Sequence, residues 1–153
     1  MDLILWRHAE AFDLRELEDD MDRSLTPKGE RQAQRMAEWL NRHLTAGTRV
    51  LASPARRTQQ TAQALDRKVR TVDELRPDGT IEGLLTAARW PDARGAVLVV
   101  GHQPTLGLTA GYLLTGEPTP WALRKGAVLW LRAREREGQW QVVLRAALAP
   151  DLL

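Results

Sequence analysis

Short apolar runs along this chain alternate with stretches in which apolar residues recur every three or four positions. Residues 2–7 read as a nearly continuous apolar strand that stops on Arg7 and His8. From Ala9 to Ser24 the periodicity is lost and seven acids crowd in, which predicts a solvated loop with at most a helical turn. Thr26 followed by Pro27 signals a helix start, and Ala33, Met36, Ala37, Leu40 and Leu44 then line one helical face. Arg49–Ser53 is a second strand, and Ser53 followed by Pro54 predicts a helix running to about Leu65. A weaker strand is expected at 69–73. The turn Pro77–Thr80 leads into a short helix with Ile81, Leu84, Leu85 and Ala88 inward, stopped at Trp90 and Pro91.

The run Ala96–Gly101, AVLVVG, is apolar enough for a central strand covered on both faces. A helix from Pro104 should turn Leu106, Ala110, Leu113 and Leu114 inward. Near the C-terminus AVLWLRA and WQVVLRA flank REREG, the signature of an antiparallel hairpin. Strands alternating with helices predict an α/β fold: three layers, α/β/α, around a mostly parallel sheet with an antiparallel C-terminal addition. No repeat or linker interrupts the chain, so residues 1–153 are expected to form a single domain. Strand order is not readable from the pattern.

Composition removes several function classes. With no cysteine among 153 residues there is no disulfide framework, thiol nucleophile or cysteine-based zinc site. No apolar run approaches the ~18 residues of a membrane span, and the first residues show no basic region followed by an apolar stretch and a small-residue cleavage site. A soluble, cytoplasmic protein with no membrane partner is therefore expected. The 22 basic residues, 19 of them arginine, are interspersed with 20 acids for a net charge of +2. That mixture argues against a nucleic-acid partner.

In an open α/β sheet, ligands bind beyond the carboxyl ends of the strands. After the first strand come Arg7 and His8; after the second, Ser53, Pro54, Ala55, Arg56 and Arg57; after the third, Gly101, His102 and Gln103. Arginines in a helix's first turn oppose its dipole, a conflict that a bound phosphate removes; the simpler alternative is that both point into water. The six tryptophans are scattered among elements, which fits packing better than stacking on a ligand. His43, near the end of the long helix, is expected to cap carbonyls or face solvent.

His8 and His102 instead share the position just after an apolar strand. Zinc is the rival explanation, but the chain lacks a His-Glu-x-x-His helix, and a metal would need Glu10 or the loop acids Asp19, Asp20 and Asp22. Two histidines and arginines at strand ends fit covalent phosphoryl transfer better. Neutral His8 would attack phosphorus, while Arg7, Arg57 and His102 hold the non-bridging oxygens. Guanidinium groups neutralise the charge in this scheme, so neither magnesium nor any other cofactor is expected.

These residues resemble the histidine phosphatase (phosphoglycerate mutase-like) superfamily through four segments in order: RHAEA at 7–11, LTPKGERQA at 25–33, SPARRTQQT at 53–61 and VVGHQP at 99–104. The resemblance implies that His8 is the phosphorylated nucleophile, Arg7 and Arg57 bind phosphate, and His102 is the second histidine of the pocket. It selects Arg57 rather than Arg56, and adds Arg23 as a substrate contact, against the alternative of a salt bridge within the acidic loop. Ala9 departs from the pattern, where glycine is common.

The short chain, which leaves little room for a lid insertion, and the segments RSLTPKG and DELRPDG resemble the small bacterial phosphohistidine phosphatases of the SixA type. The partner implied is a phosphohistidine-bearing signalling protein. A small phosphorylated substrate, or a non-catalytic phosphate-binding module, stays open as an alternative. Ester cleavage would need a general acid, and Glu74 and Glu10 are the candidates, each with an ordinary surface role as the competing explanation.

Overall fold

A computed structural model describes all 153 residues. Six strands form one sheet: β1 (Asp2–Arg7), β2 (Arg49–Ala52), β3 (Val69–Thr71), β4 (Val97–Gly101), β5 (Val128–Arg136) and β6 (Gln139–Leu148), in the order β3-β2-β4-β1-β5-β6. The β1–β4, β2–β4 and β2–β3 pairs are parallel, and β1–β5 and β5–β6 are antiparallel. This is the expected mostly parallel sheet with its antiparallel addition.

Alternate side chains send the central strands' residues to opposite faces. Leu3, Leu5, Leu51, Val97 and Val99 meet α3 (Ile81–Ala88) and α4 (Thr105–Thr115) through Leu84, Ala88, Leu106 and Ala110. Ile4, Trp6, Val50, Ala52, Leu98 and Val100 face α1 (Pro27–His43) and α2 (Arg56–Gln63) through Met36, Leu40 and Ala62. Three layers result. Leu113 and Leu114, expected inward, are only half-buried at the edge of the first core.

Helix α1 starts as expected: the Thr26 hydroxyl accepts from the Gly29 amide, with Pro27 at the first position. His43 donates through Nδ1 to the Trp39 carbonyl at 2.7 Å, capping its own last turn. Helix α2 differs from expectation. It runs only Arg56–Gln63 and has no side-chain cap, because the Ser53 hydroxyl is engaged elsewhere. Strand β3 is also shorter than expected, and the chain leaves it through a 3₁₀ turn at Asp73–Leu75. Between α2 and β4 the chain contains only β3, that turn and α3, so no insertion crosses the strand ends.

What positions the site is register. Arg7 pairs with Gly101, and Ala52 and Trp6 both pair with Val100, so β2, β4 and β1 end level with one another. The residues that follow them therefore emerge side by side.

Candidate active site

The His8 amide donates to the Gly101 carbonyl at 3.1 Å, and the Ser53 amide to Val100 at 3.2 Å. This extends the sheet by one residue and brings His8, Ser53 and His102 together. The His8 and His102 ring centroids lie 5.4 Å apart. An Nη2 hydrogen of Arg57 approaches His102 Nδ1, 3.4 Å between the nitrogens. All three side chains are buried, with Arg57 only 3% exposed.

The hydrogen bonds determine which nitrogens carry protons. His8 Nδ1 lies 2.7 Å from the Ala9 carbonyl, which can only accept, so Nδ1 holds the proton and Nε2 keeps a free lone pair. In His102, Nδ1 faces a guanidinium donor and Nε2 donates to Ser53 Oγ at 2.8 Å. Burial, reinforced by Arg57 and Arg7, lowers the His8 pKa to about 4. Burial and Arg57 lower that of His102 to about 3. Both rings are neutral near pH 7.

The turn Leu123–Ala127 fixes β1's end: Leu123 accepts from Arg7 Nη1 at 2.7 Å, Gly126 N donates to His8 O, and Ala127 O accepts from Arg7 N. Gly126 has φ +77°, where a side chain would be strained and would press on Pro150. On the other side, Thr61 of α2 accepts from the Ala9 amide at 3.0 Å. Ala9 is fully buried and its φ is not positive, so this backbone does not require the glycine that the resemblance favours.

Two buried donors have no protein partner: Arg7 Nε and Arg57 Nε. Leaving a buried donor unmet costs about 1–3 kcal/mol. Arg57's remaining donors are occupied by Asp20, whose carbonyl takes Nη1 at 2.8 Å and whose carboxylate takes Nη2 at 3.0 Å. The Asp20 carboxylate also accepts from Arg23 Nε at 2.9 Å. Although partial burial opposes it, the attraction of Arg57 and Arg23 lowers the Asp20 pKa and keeps it ionised.

The acidic loop is thus not merely solvated. Its 3₁₀ turn, Asp20–Asp22, clamps the Nη1/Nη2 edge of Arg57 and leaves Nε without a protein partner. Arg23 donates to Asp20 and to the Phe12 carbonyl, the within-loop pairing named above as its alternative role. Its charge still lowers the pKa of both histidines.

Of the remaining candidates, Arg56 is exposed and unbonded. Glu10 accepts from the Thr26 hydroxyl at 2.7 Å, and Glu74 is exposed beside α3, in a hollow lined by Arg70, Thr80 and Thr86. No three His, Asp or Glu side chains come together as metal ligands. Asp20, Ser53 and Thr61 were missed or misassigned as site residues. Only Ser53's place at a strand end signalled its role; Asp20 reaches Arg57 across 37 residues, beyond any local pattern.

An α/β sheet with two neutral histidines and two under-satisfied arginines at adjacent strand ends defines a protein that handles phosphoryl groups. The family model for the histidine phosphatase superfamily (branch 1) matches residues 3–88, and the chain belongs to that family. It is 31% identical over 129 residues to phosphohistidine phosphatase SixA of Escherichia coli, covering 78% of each chain. A solved structure of a candidate SixA from Nakamurella multipartitia superposes with a TM-score of 0.82 at 31% identity, covering 97% of this chain and 95% of that one. A protein histidine phosphatase SixA complexed with tungstate matches at 0.79 and 26% identity over 99% of each chain. The chain is a phosphatase.

Proposed function

We propose that this phosphatase hydrolyses phosphohistidine on a protein, without a metal ion, through a phosphorylated His8. The observation that carries this reading is the double pairing of Asp20, the carboxylate bonded to the pocket, with Arg57 and Arg23. Held by Arg57 and Arg23, it accepts hydrogen bonds and has no proton to give. Cleaving a phosphoester expels an alkoxide and calls for a general acid. Cleaving a phosphohistidine P–N bond expels imidazole, a far weaker base.

The steps follow from the hydrogen bonds. His8 Nε2 attacks phosphorus, the substrate's P–N bond breaks, and the substrate ring, protonated on the nitrogen remote from phosphorus, takes the bonding pair and leaves as neutral imidazole. Arg7 Nε and Arg57 Nε receive the non-bridging oxygens, where charge spreads in the transition state, and His102, held between Arg57 and Ser53, fixes the Arg57 guanidinium. Phospho-His8 keeps its Nδ1 proton against the Ala9 carbonyl, so the ring is a good leaving group for the second step. Water then attacks phosphorus, the His8 P–N bond breaks, and inorganic phosphate departs. That a SixA structure was obtained with tungstate, a tetrahedral anion like phosphate, supports a phosphoryl-binding reading of this fold.

The test is a rapid quench in base after mixing with a phosphohistidine-bearing domain, with acid-labile phosphate mapped by peptide. Label on His8 during turnover is expected; turnover with no label there overturns the covalent route. A panel of sugar and nucleotide phosphates should turn over at least 100-fold less efficiently, a figure on the order expected where a positioned acid is missing.

Asp20 acts here as a positioning residue. Asp20→Ala releases one edge of Arg57 and is expected to lower kcat about tenfold, within the range for a misplaced catalytic group. Asp20→Asn keeps an oxygen acceptor and should recover part of that loss in steady-state kinetics.

A further inference from the structure

A groove on the Arg7 side of the pocket carries more cationic charge than the fold requires. A hollow of about 490 Å³ is lined by Arg7, Glu10, Lys28, Gln32, Arg124 and Lys125, together with Pro150 and Asp151. A second, of about 300 Å³, shares Lys28, Gln32, Pro150 and Asp151 with it and adds Arg31 and Arg35. With four lining residues in common, the two hollows adjoin, and their linings run from Arg7 along α1 to Arg35, here called the channel. Apart from Pro150, its walls are polar or charged.

Its acids are already engaged. Glu10 accepts from Thr26, and Asp151 pairs with Arg124 at 3.0 Å. Lys28, Arg31, Arg35 and Lys125 form no ion pair. On an ordinary solvated helix, opposite charges at i and i+4 offset each other. Here Arg31 and Arg35 stand four apart on one stripe, while Glu30, Gln34 and Glu38 occupy another. Clustered, unpaired cations beside a reactive pocket attract a complementary anionic surface.

The opposite rim has the other sign. The loop that delivers Asp20 to Arg57 also carries Asp13, Glu16, Glu18, Asp19 and Asp22 against two cations, Arg15 and Arg23, for a net negative charge. Charge around the pocket is therefore polarised, acidic on the Arg57 side and basic on the Arg7 side. From Lys28 to Arg35 the channel follows α1 for about 10 Å, a length that three or four extended residues cover.

We propose that this channel docks a short acidic segment lying to one side of the partner protein's phosphorylated histidine. The inference rests on the phosphohistidine reading above and specifies the partner's chemistry. Because the acidic rim repels the same segment, the channel also sets the direction in which the partner lies.

The experiment uses fluorescent peptides carrying phosphohistidine, with four glutamates on its N-terminal side, four on its C-terminal side, or serines on both. Binding to the His8→Ala protein is followed by anisotropy. One acidic peptide is expected to bind about tenfold more tightly than the serine peptide at about 50 mM salt, with the advantage screened away near 0.5 M. Adding Lys28→Glu, Arg31→Glu and Arg35→Glu should abolish it, and the milder glutamine substitutions should reduce it. Equal binding of all three peptides, or an advantage that survives charge reversal, overturns the proposal. So does a single-stranded oligonucleotide that displaces the acidic peptide at equal charge, which would assign the channel to nucleic acid. Phosphoramidate hydrolysis by the otherwise native enzyme reads the pocket alone, so failure of docking and failure of the His8 chemistry appear in different signals.

Discussion

His8→Ala is expected to lower turnover of a phosphohistidine substrate about 10⁴-fold, the scale on which removing a covalent nucleophile acts. The loss should fall on kcat, because Arg7 and Arg57 still hold the phosphoryl group, and KM should change little. The unprotonated Nε2 is the atom removed; no other side chain in the pocket offers a free basic nitrogen toward phosphorus, since His102 Nδ1 faces Arg57 and its Nε2 donates to Ser53. Near-UV circular dichroism of the variant should match the parent, as the alanine keeps the His8 backbone bond to Gly101. Stopped-flow turnover within tenfold of the parent would show that water is activated directly, and would remove His8 from the reaction.

The second large effect concerns stability in acid. His8 and His102 titrate near 4 and near 3 in the folded protein, through burial and the neighbouring arginine charge, against 6.5 in an unfolded chain. Above pH 6.5 both states hold neutral rings, and the contribution to stability is complete. As pH falls below 6.5 the unfolded chain takes up protons that the folded protein refuses, and stability is lost until the folded values are reached. Each ring is expected to contribute a loss on the order of 3 kcal/mol between pH 6.5 and pH 4. Urea unfolding across that range should show the decline. His8→Asn or His102→Asn should each flatten it by about half. The carboxylates Asp20 and Asp2, whose pKa values are lowered by their arginine partners, act below their ordinary 3.8 and leave this window to the histidines. A parent protein whose stability is level from pH 6.5 to 4 would show that the rings are solvated.

Much of the fold is visible as periodicity. Ala33, Met36, Ala37 and Leu40 of α1 and Leu44 at its C-cap are buried where spacing places them, and the run at β4 is buried along its whole length, as a strand covered on two faces requires. The shortfalls have physical causes. Helix α2 begins three residues later than Ser53 because that hydroxyl accepts from His102 and from the Ala55 amide, so it cannot cap a helix. The acidic loop carries no periodicity and reads as solvent-facing, yet one of its seven acids closes on Arg57. A charge's exposure depends on what lies opposite, and a loop's own residues do not encode that.

By itself the sequence determined the kinds of element, the layered class and the presence of cationic and titratable residues at three strand ends. These follow from local spacing, because burial of one face imposes a period on the residues that supply it. Only the tertiary structure decided that β2, β4 and β1 are neighbours ending level, which turns three separate ends into one pocket. It also decided the His8 tautomer, the clamp of Asp20 on Arg57 and the convergence of α1's cations with the turn after Leu123. These depend on partners tens of residues away in the chain, and pairing order and register are set by the packed whole rather than by any one segment.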